Sequence, residues 1–204
     1  MAKQEQLKTE EKILEAAKKV FVLKGKAGAR MQEIADEAGI NKSLLHYYYR
    51  SKEKLFGAVF KFAFKNFAPD IMKVFDTNKD IFEVIEFFVS KYIDLIRKNP
   101  FIPMFILNEI NKKDTSFVTE IIKGSGINID RYIQFVNRHI EEGKIKKIDP
   151  RQLMVNLIAL CIFPIVGRPI IQIIAFNDDK KAYEKFLDTR KEEVSKLIIN
   201  SIKV

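Results

Sequence analysis

The stretch "INKSLLHYYYRSKEKLF", residues 40 to 56, sets hydroxyl, imidazole and ammonium groups among leucines and tyrosines. On a helix turning about 100° per residue, with Lys42 as origin, His46 falls at about 40°, Ser43 at about 100° and Tyr47 at about 140°. Leu44, Tyr48 and Leu45 fill the arc from about 200° to about 300°. The first arc is polar and basic and the second apolar, so Lys42, Ser43, His46 and Tyr47 are expected to face away from the core. An ammonium suits phosphate, a serine or tyrosine hydroxyl meets phosphate or a base edge, and an exposed imidazole adds positive charge as pH falls. The chemistry expected of this face is recognition of a polyanion. Tyr49, at about 340°, lies between the arcs.

Covalent chemistry finds little support elsewhere. The chain has two histidines, His46 and His139, and one cysteine, Cys161, which complete no metal-ligand set. There is no Gly-rich phosphate loop, no Gly-x-Ser-x-Gly elbow and no His-Glu-x-x-His, and "KGSGI" at 123 to 127 lacks a strand-turn-helix context. The expectation is a protein that is not an enzyme and holds no metal or cofactor. A lone cysteine makes no internal disulfide, and "MAKQEQLKTEEKIL" has no apolar run of the signal-peptide kind, so a cytoplasmic location is expected. "QLMVNLIALCIFPIVG", residues 152 to 167, is closed by Arg168 short of the roughly 20 residues that span a bilayer. It reads as a buried or interface helix, with no membrane partner.

At 204 residues and 47% hydrophobic, the chain excludes general disorder and is long enough for a small domain attached to a larger one. Its 36 Lys and Arg against 27 Asp and Glu give a net charge of +9, which favours a polyanionic partner. Residues 1 to 54 hold 12 basic and 8 acidic side chains, a higher excess per residue than the remainder.

Nearly every segment reads as helix. The first, at about residues 9 to 23, stripes Ile13, Ala16, Ala17, Val20 and Phe21, and "KGKAG" ends it. In "RMQEIADEAGIN", Met31, Ile34, Ala35 and Ala38 make one apolar face, and Ala35 is small enough for another helix to cross closely. Gly39 can turn left-handed, Ile40 can plug the turn and Asn41 can cap the next helix, at about residues 42 to 48. The result is a helix-turn-helix whose second helix is presented outward. Ser51 caps a fourth helix, which is expected to run through Phe67 to Pro69 and to join two domains. Asp80 caps a helix to about residue 98; further helices are expected at about 103 to 111, 115 to 123, 127 to 143, 150 to 175 with disturbance at Pro164, Gly167 and Pro169, and 179 to 203.

These residues resemble the DNA-binding domain of the tetracycline-repressor (TetR) family, from "EEKILEAAKKVF" through "IADEAGINKSLLHYYYRSKEKLF", about residues 9 to 56. The resemblance implies an all-α fold: a three-helix helix-turn-helix DNA-binding domain, residues 1–52, joined by a long helix to a larger helical ligand-binding and dimerisation domain, residues 53–204. It also implies a dimeric transcriptional regulator, usually a repressor, that leaves double-stranded operator DNA when a small molecule binds. Carried over by position, Gln32 reaches a base or phosphate, and Arg30 stands where a Thr or Ser usually caps the helix. Lys42, Ser43, His46 and Tyr47 match recognition-helix contacts, Lys52 matches a phosphate-gripping base, and Tyr48 matches a backbone contact of some members. Tyr49 replaces a core Phe. Leu44 replaces a common Thr or Ser, leaving at most an apolar contact such as a thymine methyl.

In the last helix Tyr183, Leu187, Arg190, Val194, Leu197 and Ser201 follow spacings of 4, 3, 4, 3 and 4, widened by Ile198. With Leu153, Leu157 and Leu160 they are expected to form a four-helix homodimer seam. Polar residues among the aromatics of the middle segments suggest a site for a mostly apolar effector: Phe88, Tyr92, Phe105, Asn108, Asn156 and Cys161. The alternative is a constitutive DNA-binding regulator with a filled core and no effector.

Overall fold

The computed structural model describes residues 2–65, 67–75, 79–103, 119, 123, 124 and 126–204, with side chains from Leu7 onward except in 64–67. The described residues are helical throughout and form no strand beyond an isolated antiparallel bridge between Ile145 and Lys203. The helices are α1 (Ala2–Gly28), α2 (Met31–Ala38), α3 (Lys42–Tyr48), α4 (Lys52–Lys65), α5 (Phe67–Phe75), α6 (Ile81–Lys98), α7 (Ile129–Glu141), α8 (Pro150–Val166), α9 (Arg168–Phe176) and α10 (Lys180–Ile202). The helices expected near 103 to 111 and 115 to 123 lie almost wholly outside the described residues.

Two compact units divide the chain: Met1–Asn66 with Asn99–Ser125, and Phe67–Lys98 with Gly126–Val204. In the first, α2 packs on α1 and α3, and α4 packs on α1. Its core draws Ile13, Ala17 and Phe21 from α1, Ile34 and Ala35 from α2, Leu45 from α3, and Leu55, Phe56 and Val59 from α4. Phe21 meets Phe56 edge-on at 4.5 Å between ring centres, and Phe101 packs on Phe56 at 5.4 Å. Removing apolar side chains of this size from water is the main stabilising term, at about 1.5–3 kcal/mol each.

One boundary differs from the sequence expectation. Helix α1 continues past Leu23 to Gly28 through a break at Gly25, whose φ of 65° and ψ of 174° no helix accommodates. A glycine adopts that conformation without Cβ strain, so the chain kinks and resumes one more turn. The helix expected from Ser51 to Pro69 or shortly beyond is described as α4 to Lys65 and as α5 from Phe67.

In the second unit α6 packs against α8 and α10, α7 against α5 and α8, and α9 against α10. Asp80 caps α6, accepting the Phe82 N–H at 2.8 Å, and Asn128, Asp149 and Asp179 cap α7, α8 and α10. The disturbance expected around Pro164 is a 76° bend between α8 and α9. Pro164 has no N–H for the Leu160 carbonyl one turn earlier, and α8 stops before the Pro164 carbonyl finds a helical donor. Helix α10 supplies both partners: Arg190 Nη2 donates to the Leu160 oxygen at 3.0 Å, and the buried Tyr183 hydroxyl donates to the Pro164 oxygen. Two side chains of one helix thereby repair a break in another.

Candidate nucleic-acid interface

The turn between α2 and α3 follows from Gly39. With φ 62° and ψ 38° it is left-handed, and its N–H and that of Ile40 return to the Asp36 and Ala35 carbonyls, each at 3.0 Å. Asn41 then accepts the Leu44 N–H on Oδ1 at 2.7 Å, starting α3. Leu45 is the fully buried anchor of α3, and the Tyr49 N–H closes the last turn on its carbonyl at 2.8 Å. The exposed side of this short helix carries Lys42, Ser43, His46 and Tyr47, with Tyr47 72% exposed.

Tyr48 is half-buried and meets Tyr47 edge-to-face at 5.6 Å. Tyr49 is buried, and its hydroxyl donates to Glu10 Oε1 at 2.9 Å; burial first, then the neighbouring carboxylate, pushes its phenol far above the ordinary tyrosine range. Leu44 departs from the helical wheel. It is 36% exposed, because the buried arc centres on Leu45 and reaches Tyr49 on one side rather than Leu44 on the other.

Around α3 lie the neighbouring polar groups. Arg30 is exposed and extended at the start of α2, and its N–H donates to Glu33 Oε2 at 3.3 Å, supplying half of the capping box that a Thr or Ser would complete. Glu33 also holds Lys24 at 2.9 Å, and that bond, opposed by desolvation, lowers its carboxyl below the ordinary range. Sequence reasoning passed over Glu33, although a Glu three residues after the cap is the usual signal. Gln32 is exposed and donates from Nε2 to Asp36 Oδ1 at 2.8 Å. Lys52 Nζ donates to the Ala27 and Ala29 carbonyls at 3.2 and 3.0 Å, tying the start of α4 to the end of α1.

Residues 13–59 match the model of bacterial regulatory proteins of the tetR family, and residues 66–204 match that of the YcdC-like protein C-terminal region. The chain belongs to the TetR family of transcriptional regulators. It is 26% identical over 192 residues to the transcriptional regulator RutR of Escherichia coli K12, covering 94% of this chain and 89% of RutR. Over 90 residues it is 32% identical to the repressor NicS of Pseudomonas putida, 42% of either chain. The structure of FadR from Bacillus subtilis in complex with stearoyl-CoA shares the fold, with a TM-score of 0.67 at 18% identity over 93% of this chain and 97% of that one.

In this TetR-family regulator the second unit brings together only part of the expected effector set. Tyr92 of α6 stacks on Phe88 at 5.3 Å, and burial first, then Cys161 of α8, raises its phenol above the ordinary tyrosine range. Burial pushes the Cys161 thiol up to about 12, with the Arg190 charge pulling the other way. Asn156 is exposed on α8, three residues after buried Leu153 and directly before buried Leu157. Phe105 and Asn108 fall outside the described residues.

Most residues expected in the dimer seam face their own chain. Tyr183, Leu187, Val194, Ile198, Leu153 and Leu157 are buried within the protomer, where α10 packs on α6 and α8, and Leu160 is half-buried. Their 4-3 spacing is real, but the partner helices belong to the same chain. Of the expected seam Leu197, at 56%, and Ser201 are exposed. On α8 and α9 the large apolar residues that reach solvent are Val155, Phe163, Ile170, Ile173 and Ile174, from 54% to 76% exposed. Their outward spacing was visible in the sequence, hidden by the inward stripe of the same helices. No single described helix is long and apolar enough to cross a membrane; the bent α8–α9 pair passes by length and composition only.

Proposed function

We propose that this regulator is a dimeric repressor that binds double-stranded operator DNA through α3 and releases it when a mostly apolar small molecule occupies its second unit. The observation that carries the DNA reading is the division of α3, with Leu45 wholly buried while Lys42, Ser43, His46 and Tyr47 share the solvent side. In the proposed complex Lys42, Ser43, His46 and Tyr47 enter the major groove, Leu44 adds an apolar contact, and Arg30, Gln32 and Tyr48 meet the flanking backbone. Lys52 acts on phosphate at most through the loop it holds. Residues 1–52 serve DNA contact, and 53–204 serve effector binding and dimerisation.

The dimer is proposed to form over the outer face of α8 to α10, centred on Val155, Phe163 and Leu197, since apolar side chains this exposed are what a second copy would remove from water. Two recognition helices would then read half-sites about 34–36 Å apart. The effector reading draws on the Phe88, Tyr92 and Cys161 neighbourhood and on the fold shared with a structure that holds stearoyl-CoA. Effector and operator would favour different arrangements of the dimer, and each would weaken binding of the other by the same factor.

The test is selection of duplexes from a random pool, followed by retardation of the enriched sequence across a salt series. A two-fold symmetric site, bound more tightly than random duplex and weakened by salt, is expected. Equal retardation of every duplex refutes the operator reading.

A further inference from the structure

Several cations that hold α10 in the second unit are paired with carboxylates. Arg97 meets Asp188 at 2.7 Å and Glu184 at 3.6 Å, Arg168 meets Glu184 at 3.0 Å, and Lys191 meets Asp94 at 2.7 Å. Arg190, half-buried on the same helix, has no carboxylate partner among the described residues. Its Nη2 is used on the Leu160 carbonyl and its guanidinium lies over the Phe186 ring at 5.5 Å, but its Nε is sealed from solvent without an acceptor. A sealed N–H of a permanent cation calls for an oxygen acceptor, best an anionic one, and no described residue supplies it.

The surroundings define what else that anion would carry. Arg190 holds the carbonyl of Leu160, the residue before Cys161 on α8, and α8 packs on α6, which carries the stacked Phe88 and Tyr92. The cation therefore stands next to a run of thiol, phenol and phenyl groups that suits hydrocarbon. We propose that Arg190 reads the carboxylate of an amphipathic organic acid, donating from Nε and its remaining Nη while the hydrocarbon tail lies toward Tyr92 and Phe88. The guanidinium fork matches the two carboxylate oxygens, and an uncharged head group of the same size would leave Nε unmet. This inference rests on the effector role proposed for the second unit and names the chemical class of its ligand.

The experiment uses the full chain bound to its selected duplex, with octanoate, dodecanoate and hexadecanoate as probes and the alcohols of the same lengths as neutral controls. DNA release and calorimetric binding are measured on the wild type, Arg190→Lys and Arg190→Gln. Both substitutions keep a donor for the Leu160 carbonyl, and melting temperature reports whether each variant folds. At least one carboxylate is expected to bind and release DNA at a concentration tenfold or more below its alcohol. Arg190→Gln is expected to abolish that preference and Arg190→Lys to retain part of it, with duplex affinity unchanged in both. Equal potency of acid and alcohol in the wild type overturns the role of Arg190 and leaves the effector reading standing. A carboxylate preference that survives in Arg190→Gln overturns it too, as does loss of the dimer by light scattering with acid binding intact, which would make a second copy the source of the anion. Release by neither series overturns the carboxylate class, and a neutral compound found to release DNA in a broader screen would then preserve the effector reading alone.

Discussion

Tyr49, just past the end of the recognition helix, donates its hydroxyl to Glu10 near the start of the domain at 2.9 Å, bridging 39 residues of chain. The ring packs in the core whether or not the hydroxyl is present, so Tyr49→Phe keeps the fold and removes one charge-assisted bond. A loss of about 1.5–3 kcal/mol in urea unfolding is expected, the range for hydrogen bonds to charged groups. An unchanged midpoint would mean that the bond is not formed in solution.

Tyr47 and Lys52 separate specificity from support. Tyr47 is 72% exposed with its ring against Tyr48, so Tyr47→Ala is expected to leave stability within about 0.5 kcal/mol while lowering the ratio of operator to random-duplex affinity.

Lys52→Met frees the Ala27 and Ala29 carbonyls. It is expected to lower the melting temperature and weaken every duplex, with little change in the slope of affinity against salt. Arg30→Gln should instead reduce that slope by about 1, as loss of one phosphate contact does. If Lys52→Met reduces the slope by the same amount with stability intact, Lys52 grips phosphate after all.

The repair of α8 by α10 makes Tyr183 a structural donor. Tyr183→Phe leaves the buried Pro164 carbonyl without its partner and is expected to cost about 1–3 kcal/mol. At Gly167 an added Cβ would stand 3.0 Å from the Phe163 carbonyl oxygen and 3.3 Å from Ile171 Cδ1. Gly167→Ala is therefore expected to shift the α8–α9 bend and lower the melting temperature.

The Cys161 thiol, raised to about 12 by burial, is protonated at neutral and mildly alkaline pH. Iodoacetamide at pH 8 should leave it unmodified in the native state and alkylate it once guanidinium unfolds the chain, as intact-mass measurement would report. Because its folded pKa is raised, the linked stability is present below the unfolded thiol pKa and falls as pH rises toward the folded one.

Glu33 has the opposite sign. Its carboxyl is lowered mainly by the bond from Lys24, so its support of the α1–α2 junction is present above the ordinary carboxylate pKa and lost as pH falls through the lowered value. Faster amide exchange at Arg30 is expected only in acid, and Glu33→Gln should remove that dependence.

The helix-turn-helix was legible because its determinants are local. Gly39, Asn41 and Leu45 act within a few residues of one another, so spacing alone places Lys42, Ser43, His46 and Tyr47 on one side. The wheel failed at Leu44, where a helix of seven residues leaves the width of the buried arc to its packing on α2. It failed more widely in α10, whose 4-3 stripe announces a partner helix without saying whose. Burial of Tyr183, Leu187 and Val194 against the protomer's own α6 and α8 answers that, and moves the free apolar face to Val155, Phe163 and Ile174.

Sequence by itself determined the helical class, the turn at Gly39 and the chemistry offered by α3, because capping, glycine conformation and 3.6-residue periodicity operate within a turn or two. Only the tertiary structure decided that Lys52 serves backbone carbonyls, that Arg190 mends the break left by Pro164 and keeps an unmet Nε, and which apolar stripe stays outside. Those outcomes depend on which distant carbonyl or helix face arrives beside a side chain, and no local spacing encodes that arrival.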